Sequence, residues 1–497
     1  MKQLIQKLGS FPYYVFGIAF FFISHGYSEN AGLIPFRDML FFFLITAGVT
    51  IFILWFFTKK MGSVSKAGII TGFFLFFYLF YGAIQDGFKQ FRLLNQLSRY
   101  SVLLPSIVII TILAYFLVKH SARDFKKITI YINTLLVLFI FLDLISISQH
   151  SIKGGDKDEI VKSSIEKNLS PCTKCDRPDI YLIVLDEYWG NRSLKNYFNF
   201  ENSNLISFLN NEGFFVATTP LGNYTSTPLS IASMFDMKYV EWLNGRKQVQ
   251  AEDYGRAAKA ITNSITMKFL KSLGYSIKNY SIFDILNQPS EFNFGILPIK
   301  LRLITSKTLL SRMEKDLLWH LRVDVASKYN WLATYFQNEF KEGNEKLLKL
   351  TYKEIKEPGN PKFVYTHLMM PHLPHLYDSS GRENNINFFD SLPQRVLDET
   401  YLGYLIYSNK IAEDLIAKIK KVTNGKAVIL LMSDHGNRSF SASNKSVSAN
   451  NNFNAVFLPQ KNYDLFYDSI SNVNQFRVLF NTLFNQHLPI LKDSVVF

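Results

Sequence analysis

The hydrophobic pattern divides the chain into two parts. Up to about Gln149, long apolar runs rich in Phe, Ile and Leu alternate with short polar turns. Because a helix needs roughly 20 apolar residues to cross the hydrocarbon core of a bilayer, each run is long enough to span a membrane. The pattern therefore predicts five transmembrane helices in residues 1–149: Phe11 to about Tyr27, Met39–Phe57, Ala67 to about Ile84, Val102–Val118 and Ile128 to about Ile147.

The positions of Lys and Arg predict the orientation of these helices. Basic residues concentrate at the N-terminus and in the second and fourth loops, and cytoplasmic loops carry such an excess. Five crossings then place everything after Gln149 outside the cytoplasm, with a multi-pass anchor in the cell (inner) membrane. The third loop, Asp86–Tyr100, carries three cations on the outer side. Its Phe and Leu spacing predicts an interfacial amphipathic helix; a charged surface loop is the alternative.

Beyond residue 149 the pattern changes to that of a soluble α/β domain. Residues 150–178 are polar and without periodicity, which indicates a linker, and Cys172 and Cys175 within it suit a local disulfide. From residue 179 to 497, buried apolar runs alternate with helical stretches, which predicts a central, mostly parallel sheet covered by helices on both faces. The predicted strands are Asp179–Leu185, Lys362–Tyr365, Ala427–Met432 and Ala455–Leu458.

Ligands of such sheets bind at the carboxyl ends of the strands, where this chain places acids and histidines. Asp186 and Glu187 follow the first predicted strand, and Asp434 and His435 follow the third, just before Gly436. Carboxylate and imidazole are the ligand types of Zn and Mn. We therefore predict a metal site, in which either Asp186 or Glu187 is the acidic ligand of the first strand.

A histidine-rich loop follows another predicted strand. His367, His372 and His375 are three of the nine histidines, and they occur within nine residues. Such a cluster could hold a second ion, bind phosphate oxygens or protonate a leaving group. The alternative is a structural loop with incidental imidazoles.

Hydroxyl groups precede a helix-like run in the segment GNYTSTPLSIASMFDM. Thr225, Ser226 or Thr227 could act as a metal-activated nucleophile, while the amide groups at the helix start favour an anionic ester. The residue chemistry does not choose among the three, and Thr225 or Ser226 could instead cap the helix. Asn223 also lies in a glycosylation sequon by pattern.

Together these motifs resemble the alkaline phosphatase and sulfatase superfamily, and in particular its membrane-bound phosphoethanolamine and phosphoglycerol transferase branch. Thr225-Ser226-Thr227, Ser230 and Met234-Phe235 match the nucleophile motif of the transferases at the same spacing. His367, His372 and Pro374 match the family's histidine pair, and Asp434-His435-Gly436 match its metal motif. The resemblance implies that Thr225 is the nucleophile and also contacts the metal.

The chain also departs from both branches of that superfamily. The transferases carry several disulfides and a Cys before Met-Phe, whereas this chain has two cysteines and Ser233 at that position. Sulfatases mature a Cys or Ser within Cys/Ser-x-Pro-x-Arg. Neither cysteine has that context, and Ser226-Thr227-Pro228 is not followed by an Arg at the right place. The usual formylglycine route of sulfatases is therefore not expected.

The resemblance implies a two-step transfer of a phosphoethanolamine- or phosphoglycerol-type group from a membrane phospholipid to an envelope glycan or lipid. The metal would be one or two divalent ions, Zn in the first place or Mn. Asp186 or Glu187, Thr225, Asp434 and His435 would hold it, His367 and His372 would assist catalysis, and Ser226, Thr227 and His375 would bind substrate. The alternatives are a phosphodiesterase or sulfatase-like hydrolase and a non-catalytic membrane scaffold. The net charge of +14 suits an anionic membrane surface, and no basic stripe indicates nucleic acid.

Overall fold

The computed structural model describes residues 11–29, 34, 36–91, 94–123, 125–152, 169–170, 172, 174–246, 248–249, 251–286, 288–292, 301–313, 325–359, 361–438 and 448–496. By their contacts the residues form two units. The helical unit comprises residues 1–160 and 294–322, and the sheet unit comprises residues 161–293 and 323–497. Most of the predicted linker, 153–168, lies outside the described residues.

The helical unit is built from long apolar helices. They are α1 (Tyr14–Glu29), α2 (Phe36–Met61), α3 (Val64–Leu79), α4 (Tyr81–Gln90), α5 (Tyr100–His120) and α6 (Lys126–Ile152). In the described residues, three helical stretches are long and apolar enough to cross a membrane, namely Phe36–Met61, Tyr100–His120 and Lys126–Ile145. A fourth span is possible only if α3 and α4 count as one.

Two of the five predicted spans differ from this result. The first is a shorter apolar helix, Tyr14–Ser28. The third, predicted as continuous from Ala67 to about Ile84, is bent by 58° between α3 and α4. The amphipathic helix predicted for Asp86–Tyr100 is formed as far as Gln90, and the described residues of the loop beyond it contain a short 3-10 turn at Asn95–Ser98. The structure therefore supports three to four apolar spans.

A segment from the middle of the chain also belongs to the helical unit. It contains two short helices, Arg302–Thr305 and Leu309–Met313. Leu301 and Ile304 are buried in the same hydrophobic cluster as residues of α1, α2 and α3. The sequence predicts this segment as part of the soluble domain 179–497, because its apolar residues are too few to mark it as part of a membrane unit.

The sheet unit contains a mixed six-stranded sheet in the order β2-β6-β5-β1-β4-β3. Its strands are β1 (Ile180–Leu185), β2 (Phe215–Val216), β3 (Ser276–Tyr280), β4 (Lys362–Leu368), β5 (Val428–Ser433) and β6 (Asn454–Phe457). The strands β3, β4, β1 and β5 are parallel, whereas β6 is antiparallel to β5. All residues of β1, β4 and β5 are buried, as expected for parallel strands covered on both faces.

Helices and a hydrophobic core enclose this sheet. The helices are α7 (Asn191–Phe198), α8 (Ser203–Asn211), α9 (Thr227–Asp236), α10 (Ala251–Thr262), α11 (Ile265–Ser272), α12 (Asn330–Lys356), α13 (Gln394–Thr423) and α14 (Gln475–Phe484). The residues of α9 from Leu229 to Phe235 are all buried, which fixes the start of this helix firmly against the sheet. Cys172 and Cys175 form a disulfide before β1.

The strand register determines where the polar loops meet. The last residue of β1, Leu185, pairs with Leu368 of β4 on one side and with Ser433 of β5 on the other. Because the three strands run in the same direction, the residues after Leu185 and Ser433 emerge side by side. Asp186 and Asp434 are therefore neighbours at one edge of the sheet.

Candidate metal centre

Three buried side chains converge at the carboxyl ends of the central strands. Asp186 follows β1, Asp434 follows β5, and His367 lies near the end of β4. One potential ligand atom from each residue lies within 4.8 Å of the others. All three side chains are at most 1% exposed to solvent. We call these three residues the metal cluster.

One polar atom of each residue in the metal cluster lacks a hydrogen-bond partner among the described residues. Asp186 Oδ1, His367 Nε2 and Asp434 Oδ2 are buried and accept or donate no hydrogen bond there. An unsatisfied buried polar atom costs about 1–3 kcal/mol, and more when it is charged. Two carboxylates and an imidazole are ligand types of Zn and Mn. The cluster therefore fits a divalent metal ion.

The charges of the cluster also favour a cation. Burial and the negative charge of Asp186 raise the pKa of the Asp434 carboxyl. Burial acts on Asp186 in the same direction, but His367, His372 and His435 outweigh it and hold the pKa of Asp186 below its ordinary value. Both carboxylates become ionised together only if positive charge compensates them. A divalent ion supplies that charge.

Tyr365 orients the imidazole of the cluster. Its hydroxyl lies 2.7 Å from Nδ1 of His367, and both residues are fully buried on β4. A histidine that binds a metal through Nε2 carries its proton on Nδ1 and donates it to a neighbouring acceptor. The Tyr365 oxygen is in position to accept that proton. His367, predicted from the sequence as a catalytic residue, lies in the metal cluster.

His435 lies beside the cluster. Its Nδ1 donates to the carbonyl oxygen of Gly436 at 2.8 Å, which leaves Nε2 as the ring atom that faces the cluster. Nε2 is 3.3 Å from Asp434 Oδ2 and 3.2 Å from the hydroxyl of Thr227. The predicted ligand His435 thus faces both the cluster and the hydroxyl segment.

Glu187 is buried, but its carboxylate points to different partners. Oε1 accepts from Nε of Arg438 at 3.1 Å and lies 4.0 Å from Nε2 of His372. The backbone of Glu187 is left-handed, with φ of 58°, a conformation that is uncommon outside glycine and asparagine. Of the two acids left open by the sequence, Asp186 is the one in the metal cluster. Arg438, which the sequence does not mark as a site residue, forms an ion pair with the other acid, Glu187.

The segment with the candidate nucleophile is fixed to the backbone of the metal loop on both sides of Thr225. A Cβ atom at Gly222 would lie 3.3 Å from the carbonyl oxygen of Asp434. The hydroxyl of Ser230 donates to that same oxygen at 2.6 Å. Since consecutive Cα atoms are about 3.8 Å apart, the Cα of Thr225 lies within roughly 8 Å of that of Thr227, whose hydroxyl touches His435.

Three further residues of this segment, Asn223, Thr225 and Ser226, lie just before the first turn of α9. Ser226 occupies the N-cap position of α9, although its side chain makes no capping hydrogen bond. Thr225 is half-buried just before it. Asn223 is fully buried, donates to the carbonyl of Ser494 at 2.9 Å and accepts from the backbone of Val473 at 2.8 Å. The sequon at Asn223 is therefore inaccessible in the folded chain.

The two remaining histidines differ in their environment. His372 is partly exposed; burial lowers its pKa, but the carboxylates of Glu187 and Asp186 outweigh that effect and raise it. His375 is only 2% exposed, and its Nδ1 lies 2.8 Å from the hydroxyl of Thr400. Burial lowers the pKa of His375 to about 3. The substrate-binding role predicted for His375 stays a prediction.

A close backbone contact explains the glycine after His435. The sequence suggested that Gly436 allows a tight turn. In the structure a Cβ atom at this position would lie 2.3 Å from Cδ1 of Trp189 and 2.7 Å from the carbonyl oxygen of Asn451. A glycine is thus required at position 436 because Trp189, in the segment that follows β1, lies too close for a side chain. The backbone of Gly436 is not left-handed.

The fold and this cluster define an α/β protein with a candidate metal centre at the carboxyl ends of its parallel strands. The family model described as Sulfatase matches residues 186–476, more than half of the 497 residues, and the chain belongs to that family. This places it in the alkaline phosphatase superfamily, as the motifs predicted. No curated protein matches the chain.

Solved structures similar to the chain include phosphoethanolamine transferases. The C-terminal periplasmic domain of EcEptC from Escherichia coli, in complex with Zn, is 13% identical, with a TM-score of 0.37, and the match covers 63% of this chain and 86% of that one. The corresponding domain of EptC from Campylobacter jejuni is 13% identical, with a TM-score of 0.38, and the match covers 63% of this chain and 90% of that one. The integral membrane protein EptA from Neisseria meningitidis is 12% identical, with a TM-score of 0.39, and the match covers 96% of this chain and 95% of that one.

Proposed function

We propose that the chain is a membrane-anchored, metal-dependent transferase. It moves a phospho-substituent of phosphoethanolamine or phosphoglycerol type from a membrane phospholipid to a hydroxyl of an envelope glycan or lipid. The observation that carries this proposal is the metal cluster, whose three unsatisfied, buried ligand atoms lie beside the hydroxyl segment. Membership of the sulfatase family supports chemistry on phosphate or sulfate esters.

The chain's own residues would act as follows. Asp186, His367 and Asp434, with His435 beside them, hold the ion. When bound, a divalent metal lowers the pKa of a coordinated hydroxyl and stabilises charge on the transferred group. Thr225 supplies the nucleophilic oxygen, as the family resemblance implies, and the free amide groups at the start of α9 face the anionic ester.

The proposed reaction has two balanced steps. In the first, Oγ of Thr225 attacks phosphorus and loses its proton, the bond from phosphorus to the diacylglycerol oxygen breaks, and that oxygen takes up a proton. In the second, the acceptor hydroxyl attacks the same phosphorus, loses its proton and displaces Oγ of Thr225, which is reprotonated. His372, whose pKa the carboxylates of Glu187 and Asp186 raise against the effect of burial, is the proton donor that we assign to the leaving oxygen.

The helical unit is the reason to propose a lipid donor. Its three to four apolar spans keep the enzyme in the bilayer that holds the donor's acyl chains. A tethered enzyme meets its substrate at a high effective concentration and in a restricted orientation. The last long apolar helix, α6, begins with Lys126 and Lys127. Since basic residues concentrate on the cytoplasmic side, we further propose that α6 begins at the cytoplasmic face and that the sheet unit, which follows it, lies on the extracytoplasmic side, whatever the number of preceding spans.

The experiment that tests the proposal is adduct trapping on the full chain. Purified protein with Zn or Mn is incubated with phosphatidylethanolamine or phosphatidylglycerol, and peptides are analysed by mass spectrometry. We expect a phospho-substituent on Thr225 that is absent in Thr225→Ala and present in Thr225→Ser. An adduct on Ser226 or Thr227 would contradict the assigned nucleophile.

A chase of the adduct distinguishes the candidate activities. Loss of the adduct to a glycan or lipid alcohol at a much higher rate than to water supports a transferase. Equal or faster loss to water supports the phosphodiesterase or sulfatase-like hydrolase. Failure of metal-saturated protein to form an adduct with any donor, although the metal is bound, supports a non-catalytic scaffold.

A further inference from the structure

We call the described segment 301–313 the clasp. Its contacts place it in the helical unit, although the chain before and after it belongs to the sheet unit. The chain on both sides of it, up to 293 and from 323, is part of the sheet unit. The clasp itself is integrated into the helical unit, where Leu301 and Ile304 are at most 2% exposed. The chain thus leaves the sheet unit, docks on the membrane helices and returns.

Two glycines of the helices make room for the clasp. A Cβ atom at Gly26 of α1 would lie 3.2 Å from Cγ2 of Ile304. A Cβ atom at Gly82 of α4 would lie 2.9 Å from the Cα of Lys307 and 2.7 Å from Nε of Arg312. A side chain at Gly82 would therefore displace the backbone of the clasp.

Polar groups complete the docking site. The amide of Gly82, in the first turn of α4 where the helix itself provides no acceptor, donates to the carbonyl oxygen of Lys307 at 2.7 Å. Oδ2 of Asp86 accepts from Nζ of Lys307 at 2.8 Å and from Nη2 of Arg312 at 2.6 Å. The clasp and α4 are thus complementary in shape, in backbone hydrogen bonding and in charge.

We infer that the clasp is a second, non-covalent attachment between the sheet unit and the membrane helices, independent of the linker 153–168. With the linker alone, the sheet unit would be joined to the membrane helices at one point of the chain, whereas a docked clasp joins it at a second point. The bend between α3 and α4 has a role in this attachment, because it directs the first turn of α4 to the clasp.

The test cuts the linker and asks whether the two parts stay together. A specific protease site is placed within 153–168 of the full chain, with an affinity tag at the N-terminus. After cleavage in detergent, the fragment that contains the sheet unit is expected to remain on the affinity resin. The readout is attachment and not activity, so that failure of the proposed transfer reaction would leave this result unaffected.

Three variants make the test specific. Gly82→Leu is expected to release the cleaved fragment, whereas Gly87→Leu on the same helix, where a Cβ atom has no neighbour within 4 Å, is expected to retain it. Lys307→Glu with Arg312→Glu should also release the fragment, and adding Asp86→Arg should restore retention. Each variant is first checked for monodisperse elution before cleavage. Release from the unmodified chain, or retention in both Gly82→Leu and the double Glu variant, would overturn the inference.

Discussion

Nε2 of His367 lies 3.6 Å from Oδ2 of Asp186, which is too long for a hydrogen bond and close enough for both atoms to bind one ion. Oδ2 of Asp434 completes the arrangement and, in the described part of the chain, has no hydrogen-bond partner. Each of the three residues buries one unsatisfied polar atom, namely Asp186 Oδ1, His367 Nε2 and Asp434 Oδ2, and without an ion the folded protein bears the free-energy cost of all three. The stability of the sheet unit should therefore depend on metal.

Asp434→Asn is expected to weaken metal binding by at least roughly 10-fold to 100-fold, because it removes one negative ligand at nearly constant shape. Metal content after dialysis and competition with a chelator measure the change. Asp464→Asn, at an exposed aspartate of the same unit, is the matched control. With unmodified protein, metal at 100 times its dissociation constant should stabilise the fold by about 2.7 kcal/mol. Equal metal content in Asp434→Asn and the control would contradict the assignment.

Tyr365→Phe should lower the affinity for metal roughly 10-fold to 100-fold, although Tyr365 is not a ligand. The change removes the acceptor that holds the Nδ1 proton of His367 and leaves that buried group unsatisfied, which costs about 1–3 kcal/mol. Metal titration and chemical denaturation are the two measurements. Tyr181→Phe on the adjacent strand is a matched control, since its buried hydroxyl has no partner among the described residues. Similar losses in both variants would argue against an orienting role.

Gly436→Ala is expected to destabilise the fold by about 1–3 kcal/mol or more, as overpacking of a rigid site does. The added methyl group would meet the ring of Trp189 and the backbone of Asn451, neither of which can move without disturbing the residues that follow β1. Denaturant unfolding measures the loss. Gly359→Ala, at an exposed position where a Cβ atom has no neighbour within 4 Å, should be nearly neutral. A neutral Gly436→Ala would show that the close approach is relieved elsewhere.

The strands of the sheet were predictable where burial was complete. The apolar runs at β1, β4, β5 and β6 identified the four inner strands because both faces of each are covered. The sequence did not identify β3, an edge strand with the polar sequence SIKNY, or the two-residue β2. Short or half-exposed strands carry too weak a pattern, since their pairing depends on neighbours distant in the chain.

The site was predictable in outline and not in its detailed contacts. Parallel strands bring their carboxyl ends together, so the sequence correctly directed attention to Asp186 and Asp434. It did not decide whether Asp186 or Glu187 is the metal ligand, because the contact between Arg438 and the carboxylate of Glu187 is visible only in the structure. It also predicted a continuous span from Ala67 to about Ile84, whereas the structure bends it by 58°, close to the contact between Gly82 and the distant Lys307.

His375 illustrates how a histidine beside a site can serve the fold. Its ring packs against those of Phe388, Tyr401 and Tyr404 at centroid distances of 5.3, 5.7 and 6.4 Å. Burial lowers its pKa to about 3, so the folded chain keeps this imidazole neutral while the unfolded chain protonates it near pH 6.5. Between these two pH values the unfolded state binds one more proton, and the stability contributed by His375 is lost as the pH falls.

His375→Phe should therefore flatten the acid side of the stability profile. From pH 7 to pH 5 the unmodified chain is expected to lose about 2 kcal/mol through this group alone, and the variant should not. Denaturant unfolding at a series of pH values, compared between the two proteins, isolates the difference from every other group that titrates. The exposed His487, changed to Phe, is the matched control and should leave the profile unchanged. An identical pH dependence in His375→Phe and unmodified protein would mean that His375 takes up its proton in the folded state, and so faces solvent or substrate after all.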